Sequence, residues 1–355
     1  MILTAPLLKN IKKYNRIRLA KGLILDSFGT KVRQGTYGVS SSRHGDTWYM
    51  LNKGRAIFKT YKSDLTEGFF DSVQKLRMVN ELICYELSKQ VGVLCAEYEL
   101  ANYKGEQGIV TYDVAKKGES LLDGYEFFHN ISDKGHSLFS SDATLEDYYD
   151  AMELYKEDGY NIDINKCLKG LYKIALFDCL TAQSDRHMSN LFFLVNDRTR
   201  KVTVAPMIDN EFAFNVKNFD EYVHRTMEFY ETPEKSFNIS LKYLTDQINF
   251  QDFDERGNTL FVQNAQQIVK VAMQNEEYAK IFKQIVKDFN VKKAIDKVKE
   301  QGVTISREYE EYMIMVEKET KKLLKKCIKI YKANLDKNSE NYDYSYINKY
   351  TEMDK

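Results

Sequence analysis

Short apolar runs bounded by turn residues fill the first third of the chain, and apolar residues at helical spacing fill most of the remainder. Thr47-Trp48-Tyr49-Met50-Leu51 and Arg55-Ala56-Ile57-Phe58-Lys59-Thr60-Tyr61 flank Asn52-Lys53-Gly54 and predict a β-hairpin, preceded by a Gly- and Ser-rich stretch with Gly29, Gly35 and Gly38. From Phe70 to Val91 the period becomes helical, with Leu76, Val79, Leu82, Ile83, Glu86, Leu87 and Val91 along one side and Gly92 placed to end it. Val93 to Ala101 and Gly108 to Asp113 predict two further strands around a turn at Lys104-Gly105-Glu106. Residues 1–113 are thus expected to form a mostly antiparallel sheet with one helix.

Beyond Asp113 the composition shifts, through a largely polar stretch to about Asn161. Cys167 to Gln183 then carries a broad apolar face, with Asn161 or Asp163 placed to cap its start. Leu191-Phe192-Phe193-Leu194-Val195 and Val202-Thr203-Val204 flank Asn196 to Lys201 and predict a second hairpin. Between Phe261 and Tyr331 at least three helical segments follow, around Val262 to Ala272, Ile281 to Phe289 and Tyr312 to Ile330. The expected organisation is α+β: a sheet-rich lobe over 1–113, a mainly helical lobe over 114–335 and a tail over 336–355 with little periodicity.

Composition narrows the classes. The 355 residues are 43% hydrophobic, enough for a sizeable core, and 52 basic residues balance 52 acidic ones. Zero net charge gives no reason to expect nucleic-acid binding or an anionic membrane surface, and no run reaches transmembrane length. The cysteines, Cys84, Cys95, Cys167, Cys179 and Cys327, are odd in number, contain no C-x-x-C and mostly lie in apolar runs, so buried thiols in a reducing compartment are expected. The N-terminus lacks an ordered basic and apolar leader, which points to a cytoplasmic protein, with export lacking a cleaved signal as the alternative.

Polar groups gather at the open end of the second hairpin. Ser184-Asp185-Arg186-His187-Met188-Ser189-Asn190 leads into it and Ala205-Pro206-Met207-Ile208-Asp209-Asn210 leads out, so Asp185 and Asn190 are expected within several ångströms of Asp209. Two carboxylates and a carboxamide around one small volume suit phosphoryl transfer: one carboxylate orients a hydroxyl while the other and the carboxamide hold magnesium through oxygen. Upstream, glycines Gly35 and Gly38 beside Ser40 would let backbone N–H groups cradle phosphate oxygens, although a Gly- and Ser-rich turn is often just a turn. Lys59 sits within an apolar strand; alone it would read as an edge-strand lysine, but the following helix carries Glu81 and Glu86, either of which has the spacing to orient its ammonium.

The order of these features resembles the HipA-like serine/threonine kinases. Asn80-Glu81 through Gly92 with Ala96-Glu97-Tyr98-Glu99-Leu100, the D-R-H-x-x-N of Asp185 to Asn190, and the Pro206 to Asp209 stretch each look like segments of that family. The similarity spans roughly residues 26–215 and lacks the family's small N-terminal domain, as in the compact CtkA-type and HipT-type kinases. The resemblance implies Asp185 as catalytic base, Asn190 and Asp209 as magnesium ligands, Lys59 on the ATP phosphates paired with Glu81, Tyr112 and Asp113 as a nucleotide-facing linker, and His187 as support for the loop or nucleotide. The family's Gln-Pro-Lys loop element is replaced here by Gly38-Val39-Ser40-Ser41-Ser42-Arg43, whose serines are candidate autophosphorylation sites. A protein substrate is implied, an aminoacyl-tRNA synthetase or a host protein in relatives, together with a toxin–antitoxin setting and an antitoxin partner. Alternatives are a phosphoinositide kinase, because D-R-H-x-x-N also occurs there, and a non-catalytic kinase-fold binding or antitoxin module.

Overall fold

A computed structural model of the chain describes residues 18–19, 22–25, 30–32, 48–51, 54–60, 69–103, 106–129, 145–183, 185–186, 188–216 and 265–338. The predicted strand-rich lobe is a seven-stranded sheet of β1 (Arg18–Leu19), β2 (Gly22–Leu25), β3 (Thr30–Val32), β4 (Trp48–Leu51), β5 (Gly54–Thr60), β6 (Tyr98–Tyr103) and β7 (Glu106–Tyr112). Their order is β1-β2-β6-β7-β5-β4-β3, and every pair is antiparallel except β2 with β6. Lys59 faces Ile109 across β5 and β7, near the middle of the sheet rather than on an edge.

Helix α1 (Phe69–Val91) buries Val79, Leu82, Ile83, Leu87 and Val91 of the expected stripe; Leu76 and Glu86 are half-buried, and Met78 is buried in addition. It ends at Gly92, whose φ of 66° lies in the left-handed region where glycine is least strained. Val93 to Ala101 does not form one strand as expected. Pairing within the sheet begins only at Tyr98, because residues 94–96 instead bond the far side of the second hairpin: Met207 N–H donates to Leu94 O at 2.9 Å and Ala96 N–H to Met207 O at 2.8 Å. These bonds join the sheet lobe to the second hairpin.

The polar stretch after Asp113 holds more structure than its composition suggested. It contains β8 (Glu119–Asp123), α2 (Gly124–His129), α3 (Leu145–Glu157) and β9 (Asn161–Ile162). The hairpin strands β10 (Phe192–Asn196) and β11 (Lys201–Val204) lie between β8 and β9 in a four-stranded sheet. Helix α4 (Ile164–Leu180) is capped by Asp163, whose carboxylate accepts from Lys166 N–H at 3.0 Å, while Asn161 belongs to β9. Cys167, Leu171, Ile174, Leu176, Phe177 and Leu180 of α4 are buried, and each large aliphatic or aromatic side chain so placed contributes about 1.5–3 kcal/mol.

Four helices close the described fold: α5 (Ala265–Gln274), α6 (Glu276–Asp288), α7 (Val291–Glu300) and α8 (Arg307–Asn338). The three expected segments correspond to α5, α6 and α8; α7 is additional, its Val291, Ala294, Ile295 and Val298 packed into the core against α1. Helix α8 runs on through Asn338, three residues into the expected tail, and residues 339–355 lie outside the described residues. One core cluster contains residues of α1, α4, α7 and α8, so the helix that carries Glu81 is packed into the helical lobe as well as against the sheet. All five cysteines are free thiols, four buried and Cys95 half-buried. Among the described residues no helix is long and apolar enough to cross a membrane.

Candidate active site

Strand β5 presents Lys59 from the sheet, and α1 presents Glu81 from a fully buried position. The Lys59 ammonium lies 3.4 Å from Glu81 Oε1 and 3.6 Å from Asp209 Oδ1. Glu81 uses its second oxygen to accept from Asn210 N–H at 2.8 Å. Burial raises the Glu81 pKa, while Lys59 and the Asn210 N–H favour its charged form. The choice that sequence left open resolves towards Glu81: Glu86, five residues further round the helix, pairs with Lys89 at 2.5 Å and accepts from Gln301 Nε2 at 3.4 Å.

The hairpin brings Asp209 to this place by ending its ladder early. Ala205 N–H still donates to Phe192 O at 2.8 Å, but Pro206 has no N–H to continue, and Asp209 turns with a φ of 58°, a left-handed conformation that Asp tolerates better than most residues. The Asp209 N–H donates to the Tyr98 hydroxyl at 3.1 Å, and that hydroxyl also bonds Glu81. Glu211 joins the group: one oxygen each of Glu81, Asp209 and Glu211 lies within 4.8 Å of the others. Burial first, then the charge on Asp209, pushes the Glu211 carboxyl up to about 7, and Arg77 lies 3.8 Å from it.

Asp185 and Asn190 stand on the other side of the hairpin mouth. Asn190 closes a 3₁₀ turn, Met188–Asn190, and its side-chain amide donates to Asp185 O at 2.9 Å. Helix α2 runs close beside this turn: a Cβ at Gly124 would lie 2.8 Å from Met188 O. Asp185 N–H donates to Gln183 Oε1 at 3.1 Å. Arg186, between them in sequence, is 1% exposed and knits the whole mouth together. Its guanidinium donates to both oxygens of Asp178 on α4 at 3.0 and 3.2 Å, to Asn210 Oδ1 at 2.7 Å, and from a single nitrogen to Asn190 O at 3.0 Å and Ile208 O at 2.7 Å. The stretches bearing Asn190 and Asp209 therefore meet at one atom. Burial opposes the Arg186 charge, but Asp178 and its two hydrogen bonds outweigh that and hold the arginine protonated.

Tyr112 and Asp113 lie at the end of β7 with their side chains engaged within the sheet lobe. The Tyr112 hydroxyl donates to Glu99 at 3.1 Å, and Asp113 pairs with Arg55 at 2.8 Å. Gly35, Gly38, Ser40, Ser41, Ser42 and His187 lie outside the described residues. Sequence reasoning gave no role to Tyr98, Asp178, Arg186, Asn210 or Glu211. Asp178 alone left a local signal, a single carboxylate inside Leu176-Phe177-Asp178-Cys179-Leu180, where a charge needs a partner.

The donor set fits a hard divalent cation. The clustered carboxylate oxygens of Asp209, Glu81 and Glu211, with the Asn190 carboxamide across the mouth, are magnesium-type ligands, and among the described residues the cluster includes no thiolate or imidazole. A half-buried ammonium beside them matches the charge of a phosphate chain.

No family model matches the sequence, and no curated protein is similar to it. Solved structures do resemble it. The Helicobacter pylori proinflammatory kinase CtkA superposes with a TM-score of 0.61 at 15% identity, over 86% of this chain and 98% of that one. HipA, from a Shewanella oneidensis MR-1 toxin–antitoxin complex of HipA, HipB and operator DNA, is similar at 12% identity and a TM-score of 0.38, over 78% of this chain and 57% of that one. With its mostly antiparallel sheet, its helix bearing Glu81 and its helical lobe around the β10–β11 hairpin, the chain has a two-lobed fold like that of the CtkA kinase.

Proposed function

We propose that the chain is an ATP- and magnesium-dependent kinase that transfers the γ-phosphate to a serine or threonine hydroxyl of a protein. The observation that carries this reading is Lys59 held between Glu81 and Asp209 at 3.4 and 3.6 Å. In a phosphoryl-transfer site a strand lysine oriented by a helix glutamate neutralises the nucleotide phosphates, and the adjacent aspartate holds the metal. Asp209 and Asn190 would hold magnesium, with Glu211 close enough to add an oxygen. Bound there, magnesium would neutralise charge on the β- and γ-phosphates.

The protein supplies the rest. Asp185, bonded through its carbonyl to the Asn190 amide at the entrance to the hairpin, accepts the proton of the attacking hydroxyl and aims its oxygen. Arg186 holds the Asp185–Asn190 and Ile208–Asn210 segments in one geometry, which matters because phosphoryl transfer depends on positioning more than on covalent chemistry. The side chains of Tyr112 and Asp113 are occupied within their own lobe, so on this reading the linker meets an adenine with its backbone.

Intact-mass spectrometry tests the proposal. The protein is incubated with ATP and magnesium, alone and with a serine/threonine peptide library, beside Asp185→Asn. Phosphate transfer by the wild type and not by the variant is expected. Transfer to neither protein nor peptide would overturn the proposal, and transfer to phosphoinositide vesicles instead would assign the site to a lipid kinase.

A further inference from the structure

Helix α1 reaches the metal-binding turn with more than Glu81. Asn80, the preceding residue, is completely buried, and its side-chain nitrogen donates to Glu211 O at 3.0 Å and to Ala213 O at 2.8 Å. Both are carbonyl acceptors, so the amide nitrogen must face them and Oδ1 must face away. There the Tyr309 hydroxyl donates to Oδ1 at 2.6 Å. Tyr309 is itself completely buried and comes from the first turn of α8, 229 residues later in the chain. A tyrosine of the last described helix thus fixes the amide orientation of a residue in α1, and that amide fixes the backbone immediately after Asp209.

The rest of the turn is held from elsewhere. Asn210 N–H is bound to Glu81, Phe214 N–H donates to Thr181 O at 2.5 Å, and Phe214 O accepts from Tyr312 at 2.8 Å. Phe214 sits at a φ of 57°, a conformation that persists only where its surroundings enforce it. Between these anchors, the carbonyls of Glu211 and Ala213 depend on Asn80.

We propose that Asn80 and Tyr309 form a buried positioning pair that sets the backbone of residues 209–214, so that α8 controls how well Asp209 and Glu211 are placed to receive a divalent cation. The effect of magnesium depends on the kinase reading above; the effect on the turn does not. Neither residue is a catalytic residue, since both act through the Asp209 segment. Outer partners that orient ligands typically change metal affinity or activity by about 10- to 100-fold when removed.

The test compares Tyr309→Phe with Tyr172→Phe. Tyr172 is equally buried and donates to Ile268 O at 3.1 Å, but its bond joins α4 to α5. Two readouts are taken: hydrogen exchange of the peptide covering residues 209–214, and the magnesium concentration giving half-maximal binding of a non-hydrolysable ATP analogue. Tyr309→Phe should speed exchange and raise the magnesium requirement on the order of tenfold, with Tyr172→Phe changing neither. Asn80→Asp, which turns an acceptor towards both carbonyls, should do the same or more. If the two tyrosine variants lower the melting temperature alike and leave both readouts within about twofold of the wild type, the positioning role is overturned. If the wild type binds no nucleotide, the kinase reading fails and exchange alone decides: faster exchange in Tyr309→Phe only sustains the pair, and equal exchange overturns it.

Discussion

Replacing Glu81 by glutamine probes the charge arrangement with little change of shape. Glutamine offers one oxygen and one NH₂, so position 81 could accept from Asn210 N–H or face Lys59 with an acceptor, but not both. At the observed 3.4 Å, the Lys59–Glu81 attraction is about 5 kcal/mol at the effective dielectric of about 20 that suits such pairs. Lys59 is 24% exposed, so solvent screening removes about half of this. What remains, about 2–3 kcal/mol, corresponds to roughly 30- to 150-fold in rate if Lys59 must be oriented for transfer. Freed from Glu81, Lys59 would also turn towards Asp209, the carboxylate assigned to the metal. Stability should change little, because relief of a buried charge offsets a lost hydrogen bond, and the melting temperature is expected within about 5 °C of the wild type. The assay is kcat/KM for phosphate transfer from labelled ATP, with Glu86→Gln as control. A Glu81→Gln loss no larger than that of Glu86→Gln would refute the reasoning.

Three other outcomes follow from the geometry. Arg186→Lys replaces a fork serving Asp178, Asn210, Asn190 and Ile208 with a single ammonium, and should cost about 3–5 kcal/mol in chemical denaturation together with most of the activity. Burial pushes the Cys95 and Cys179 thiols up to about 12 and those of Cys167 and Cys327 to about 11. At pH 8 these thiols are thus almost wholly protonated, so native-state alkylation should be slow and should rise about tenfold per pH unit; fast labelling near neutral pH would contradict it. Asp163→Ala removes the cap of α4 and should lower stability by about 0.5–2 kcal/mol, measured by urea unfolding, without altering the magnesium dependence of nucleotide binding.

The parts legible in the sequence are those set by short-range physics. Apolar runs bounded by turn residues marked β5, β7 and the β10–β11 hairpin, and the hairpin by itself argued that residues on either side of residues 191–204 would converge. Helical period located α1 and α4 to within a few residues. What stayed hidden depends on distant partners. Period could not choose between Glu81 and Glu86, because the choice is made by Lys59 and Asn210 on one side and by Lys89 and Gln301 on the other. Arg186 lay in a quoted motif, yet its role follows from Asp178 and Ile208, which only the packed α4 and hairpin bring within reach. The pairing of residues 94–96 with Met207 broke a strand that local pattern predicted whole, since a bond to another lobe leaves no trace in the local sequence.

The account rests on Lys59, Glu81, Asp209 and Asn190 forming one site for a nucleotide with its metal, and calorimetric titration of a non-hydrolysable ATP analogue addresses this most directly. Binding should require magnesium in the wild type, disappear on chelation, and weaken at least tenfold in Asp209→Asn. Binding that is indifferent both to magnesium and to Asp209→Asn, or no binding at all, would contradict it.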